Sequence, residues 1–118
     1  VFNVAGSGDY AVPGSGLVTF GSGDRITDFQ SGADKITFGG AVATTANYVE
    51  LATTYANYEA AQTAANAEFA GNGTSEYFAA QVGSSVYLFY GAAAGTVSTA
   101  VVELQGVSLA GIQASDII

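Results

Sequence analysis

Residues 21 to 38 read GSGDRITDFQSGADKITF, and they hold Asp24, Asp28 and Asp34, three of the chain's ten acidic residues, with both of its cations, Arg25 and Lys35. Carboxylates set among glycines suit calcium, which takes several oxygen ligands from carboxylates and backbone carbonyls, and glycine lets the backbone turn its carbonyls inward. Asp24, Asp28 and Asp34 are therefore candidate calcium ligands, with Asp9 as a further member and Gly21, Gly23 and Gly32 as turn or carbonyl positions. The same residues also make ordinary turn chemistry. Asp beside Gly favours turns, Asp28 can cap one, and Arg25 and Lys35 can pair with carboxylates on neighbouring strands. The stretch is not an EF-hand loop, because it lacks the alternating acidic ligands and the bidentate Glu at the twelfth position.

Composition removes most other chemistry. The chain has no Cys and no His, which excludes disulfides, His or Cys zinc sites, thiol nucleophiles and His-based triads. Glu50, Glu59, Glu68, Glu76 and Glu103 are carboxylates outside any catalytic motif, and Ser7, Ser15 and Ser22 sit in GSG turns without a base beside them. No catalytic residue is expected, and the chain is read as a non-enzyme. A formal charge of −8 argues against nucleic acid or an anionic membrane as partner. No apolar run is long enough to cross a bilayer and no secretory leader is present, so membrane insertion is not expected. The chain lacks Met and begins in a strand-like "VFNV", so it reads as a piece of a longer protein.

The elements that must position the acidic stretch follow from the rest of the 118 residues, which suit a single domain. Over residues 1–40 a theme recurs: GSGD at 6–9, GSG at 14–16, GSGD at 21–24 and SGAD at 31–34, each followed by a short strand-like run. This rhythm predicts degenerate turns of an irregular β-roll or β-solenoid; an antiparallel meander of glycine-turned hairpins carries the same local signals. Residues 41–75 read as a helical insert. Tyr55, Tyr58, Ala61, Ala65 and Phe69 form its apolar stripe, Thr54 its cap, and Gly71 its left-handed end. Residues 76–118 supply strands and a tail. EYFAAQVG, SSVYLFYG and STAVVELQG read as strands, and SVYLFY as a central one, with Val86, Leu88 and Tyr90 on one face and Tyr87 and Phe89 on the other. In the tail, Ser108 precedes a helical turn over 109–112 and an extended end follows. The fold class expected is mainly β with one helix, roll or solenoid turns being capped by antiparallel strands and the helix.

The repeat G-G-x-G-x-D-x-U-x, with U a large apolar residue, places an Asp at the end of a turn before a strand. GADKI gives Gly32, Asp34 and Ile36 in that register; GDRI keeps only Asp24 and Ile26, with Gly21 and Gly23 displaced. DRITDFQSGADKITF, then VYLFY, then VVELQGVSLAGIQASDII resemble the C-terminal modules of bacterial RTX proteins, calcium-binding repeat proteins exported by type I secretion. The resemblance covers residues 21–38 and roughly 82–118, and fits 43–70 only loosely. It departs from the family at GSGDYAVPG, where Ala11 stands for a large apolar residue and Pro13 interrupts the strand. The resemblance implies a Ca2+-stabilised folding and secretion module of a larger protein, secreted or held at the bacterial cell surface. It implies that a type I exporter reads the C-terminal tail, with Asp116, Ile117 and Ile118 as the secretion signal; a plain closing strand is the other reading of SDII. A self-assembling surface-layer (S-layer), filament or adhesin subunit built on the same module is the alternative function.

Overall fold

The computed structural model describes residues 1–4, 24–91 and 98–118. Seven strands and one long helix follow in chain order: β1 (Phe2–Asn3), β2 (Asp24–Ile26), β3 (Ile36–Thr37), β4 (Tyr48–Tyr55), α1 (Tyr58–Gly71), β5 (Tyr77–Val82), β6 (Ser85–Tyr90) and β7 (Ala100–Leu104). Two one-turn 3₁₀ segments, Leu109–Gly111 and Ala114–Asp116, close the chain. The domain is mainly β with one helix, as its composition and periodicity imply. The motifs at 6–9 and 14–16, with Asp9, Gly21 and Gly23, lie outside the described residues.

The organising element is a five-stranded sheet of order β2-β7-β6-β5-β4. Its centre is antiparallel and both flanks are parallel, β2 to β7 and β4 to β5. Val82 and Ser85 pair across the β5–β6 turn, and Gly83 supplies its positive φ of 57°. The apolar residues on both faces of β6 make it a central strand buried from two sides. Val86 and Leu88 point into a core shared with Ile26, Phe29, Ile36, Ile112 and Ile117, and Tyr90 packs against it. Phe89 and the half-buried Tyr87 point to the opposite face, beneath α1. Tyr90 also stacks on Tyr77 and Phe38, with ring centroids 5.3 and 5.4 Å apart.

The helix lies close to its face of the sheet because its inward stripe is small. Ala61 and Ala65 are fully buried against Phe78, Ala80, Phe89 and Val101, flanked by Tyr58 and Phe69. Gly91 allows the same approach at the sheet's end, since a Cβ there would lie 2.9 Å from the Phe69 ring. The stripe from Tyr58 to Phe69 is therefore as the spacing predicts, but its ends differ. Thr54 and Tyr55 belong to β4, and the cap is Asn57, whose side chain accepts the Ala60 amide at 2.9 Å. Gly71 is not left-handed: the chain leaves at an extended Asn72, φ −130°, whose amide bonds back to the Glu68 carbonyl. The strand YVELATTY prevails over helix in 48–55 because its aromatic and β-branched residues find the free edge of β5.

On the other face lie β3, the loops around it and the tail. β1 and β3 form a small parallel pair, Phe2 opposite Ile36, and Ile36 also bridges Ile117 in parallel. The tail is not a plain extended end. A second turn, Ala114–Asp116, precedes Ile117, and Ser108 makes no side-chain cap to the first.

Phe69→Ala removes the ring that fills the helix–sheet contact and should lower stability by about 3–5 kcal/mol. Gly91→Ala forces the same ring aside and should cost about 1–3 kcal/mol. Urea unfolding followed by circular dichroism checks both, and equal, negligible shifts would refute the packing described.

Candidate functional site

The acidic stretch and the tail, far apart in sequence, meet at one carboxylate. Asp116 is fully buried, and both its oxygens are engaged. Oδ2 accepts the Ser31 hydroxyl at 2.6 Å and the Gln113 amide at 3.1 Å; Oδ1 accepts the Gly32 amide at 2.9 Å. The Lys35 ammonium stands 3.7 Å from Oδ1 and donates to the Ser115 carbonyl at 2.8 Å. Burial pushes the Asp116 carboxyl up, but the Ser31 hydroxyl, the two amides and the Lys35 charge together pull it further down, to below the usual carboxylate value.

Local folding builds this socket from both sides. The 30–34 turn closes when the Ala33 and Asp34 amides bond to the Gln30 carbonyl, and the Asp34 carboxylate accepts the Gln30 amide at 2.9 Å. Gly32 has φ +83°, with open space where a Cβ would sit, so backbone conformation alone demands glycine there. That conformation aims the Gly32 amide at Asp116. On the tail side, Gln113 and Asp116 form a reciprocal capping box. Next to it the Ile118 amide donates to the Ile36 carbonyl at 2.8 Å, and the Ala43 amide to the Ile117 carbonyl at 3.2 Å.

The sequence-predicted residues thus have separate fates. Asp24 opens β2 opposite Val102, Asp28 is exposed in the bend after it, and Asp34 closes its own turn. Gly32 offers an amide to a carboxylate. Among the described residues no group of three or more acidic side chains is placed to hold a metal. Asp116, Ile117 and Ile118 are docked, the first two fully buried.

Both cations serve carboxylates that the fold buries. Arg25 sits opposite Glu103 in the β2–β7 pairing and forms an ion pair with it, while Ser85 donates to Glu103 at 3.1 Å. Sequence reasoning named Arg25 and Lys35 as possible partners of strand carboxylates but missed Ser31, Gln113, Ser85 and the burial of Glu103. The QASD spacing of a capping box was the one local signal for Gln113. None of the protein-family models, curated proteins or solved structures compared with the chain matches it.

Asp116→Asn keeps the shape but turns an amide NH2 toward donors, and should cost about 1.5–3 kcal/mol at neutral pH. Because the folded carboxyl lies below its unfolded value, its stabilisation is present above that unfolded value and is lost as pH falls through the folded one. Wild type and variant should therefore converge in urea unfolding as the pH falls below the ordinary carboxylate range. A gap that persists there would refute the charge as its source.

Proposed function

We propose that the chain is a non-catalytic C-terminal folding and type I secretion module of a larger extracellular bacterial protein. The observation that carries this reading is the Asp116 socket. Of the three segments in which the chain resembles RTX modules, the first, DRITDFQSGADKITF, and the end of the last, VVELQGVSLAGIQASDII, dock on each other. A module of this kind needs a tail that an exporter can read and a scaffold that takes it up once the chain is outside. Burial of Asp116 and Ile117 in the folded form suits that sequence of events.

For the roll part of the reading the support is the repeated glycine–Asp turns of the sequence and one short parallel pair, β1 beside β3. The other parallel pairs, β2 to β7 and β4 to β5, belong to the open five-stranded sheet. Calcium enters through the sequence motif alone, part of which, with Asp9, Gly21 and Gly23, falls outside the described residues.

The alternative, a self-assembling surface-layer, filament or adhesin subunit, draws on β4. This eight-residue strand ends the sheet, carries no Lys or Pro, and exposes residues 50–54, including Leu51. An open strand edge of this kind is a template for pairing with another copy.

Fused behind a carrier in a bacterium with a type I exporter, residues 1–118 should deliver the carrier to the medium, and replacing 113–118 with Gly and Ser should abolish delivery. Retention of the wild-type fusion refutes the reading. Thermal unfolding in EGTA, in millimolar calcium and in millimolar magnesium tests the ion. A calcium-specific rise of several degrees, reduced by Asp24→Asn or Asp34→Asn, is expected, and no shift removes calcium from the proposal. Light scattering at millimolar calcium decides the alternative, which a monomer at every concentration would sink.

A further inference from the structure

We propose that residues 107–118 form a strap that undocks from the sheet as a unit while β5, β6 and β7 stay folded, with the Ser31–Gly32 turn as its catch. The chain leaves the sheet after β7 through Gln105 and Gly106, and beyond that point its only strand-type contact among the described residues is the single bridge between Ile36 and Ile117. Gly111 to Ser108, Ile112 to Leu109, Asp116 to Gln113 and Ile117 to Ala114 are backbone hydrogen bonds within the strap. Its ties to the sheet and to the loops around β3 are the Val107 amide to Leu104, the Leu109 amide to the Gln81 side chain of β5, the Ile118 amide to Ile36 and the Ala43 amide to Ile117. β6, by contrast, is laddered along its whole length to β5 and over five residues to β7. Segments with few ties to the ladder open at lower free energy than those within it.

The packing agrees. Val107, Ile112 and Ile117 anchor the strap in the core, but an open cleft of ≈430 Å³ runs along one flank, lined by Ile112, Gln113 and Ala114 on the strap and Tyr48, Val49 and Glu50 on β4. Lifting the strap does not strand the Asp116 charge in an apolar site. Its Gln113 amide travels with it, and water replaces Ser31 and Gly32, which lie exposed on the turn, and the half-buried Lys35 just after it. Exchanging a hydrogen bond for water is cheap compared with burying a carboxylate unmatched. The socket therefore holds the strap firmly when docked and lets it go cleanly.

This inference rests on the reading of Asp116–Ile118 as an address and extends it: a chain whose sheet has already formed can still display that address. The test is amide hydrogen exchange on the full chain, with Ser31→Ala and Lys35→Gln as variants that loosen the catch and leave the tail sequence untouched. The Ile112, Asp116, Ile117 and Ile118 amides should exchange together and faster than those of β6. Ser31→Ala should speed them about tenfold or more, and Lys35→Gln about two- to fivefold, with β6 unmoved. Strap amides that exchange at the β6 rate, or variants that speed both sets equally, overturn the proposal. A strap that opens by exchange on a chain that the exporter ignores supports the strap and defeats the address reading instead.

Discussion

Two cations must serve ten carboxylates, and the fold uses both on carboxylates that it buries. Arg25 fixes β2 against β7 through Glu103, and Lys35 helps hold the tail through Asp116. A buried carboxylate without partners costs several kcal/mol; Arg25 and Ser85 meet that need at Glu103, and Lys35 joins the hydrogen-bond donors that meet it at Asp116. This explains why a chain so poor in charge concentrates it between residues 24 and 35. That segment has no long strand of its own; its place depends on two ion-paired carboxylates supplied from far along the chain, at 103 and 116.

Amides and hydroxyls then do what cations are too few to do. Asp116 takes two of its hydrogen bonds from backbone amides and one from Ser31, so Lys35 at 3.7 Å supplements a site that is already satisfied. Backbone amides in a glycine turn bind anions because their dipoles converge at little conformational cost. The turn that reads in sequence as a cation site through its Asp and its carbonyls also offers Asp116 one backbone amide, that of Gly32. Gly32 serves either use, since a positive φ is compatible with turning either group inward.

What was legible in the sequence was what short-range pattern controls. Alternation in SVYLFY placed Val86 and Leu88 opposite Phe89, and three-and-four spacing placed Tyr58, Ala61, Ala65 and Phe69 on one helix face. The helix start was misplaced because Thr54 and Asn57 are both good caps, and only the pairing of YVELATTY with β5 decides between them. The socket lay beyond such reasoning. Ser31 and Gly32 are 85 and 84 residues from Asp116, and no local periodicity reports a partner at that distance. Asp116 drew notice for its charge near the end of the chain, whereas its burial follows from the apolar neighbours Ile117 and Ile112 that draw it inward.

The pairings also depend on one another in a fixed direction. β5, β6 and β7 meet through short connections, whereas β2 needs the outer edge of β7 and β3 needs Ile117, each about 80 residues away. Closing loops of that length costs entropy before any contact compensates it, so the acidic segment gains a defined place only against edges the C-terminal half has already formed. The strap occupies one of those edges. The C-terminal half is consequently the template on which the glycine-rich, acidic segment is laid down, and Glu103 and Asp116 are the two buried carboxylates through which the template holds that segment.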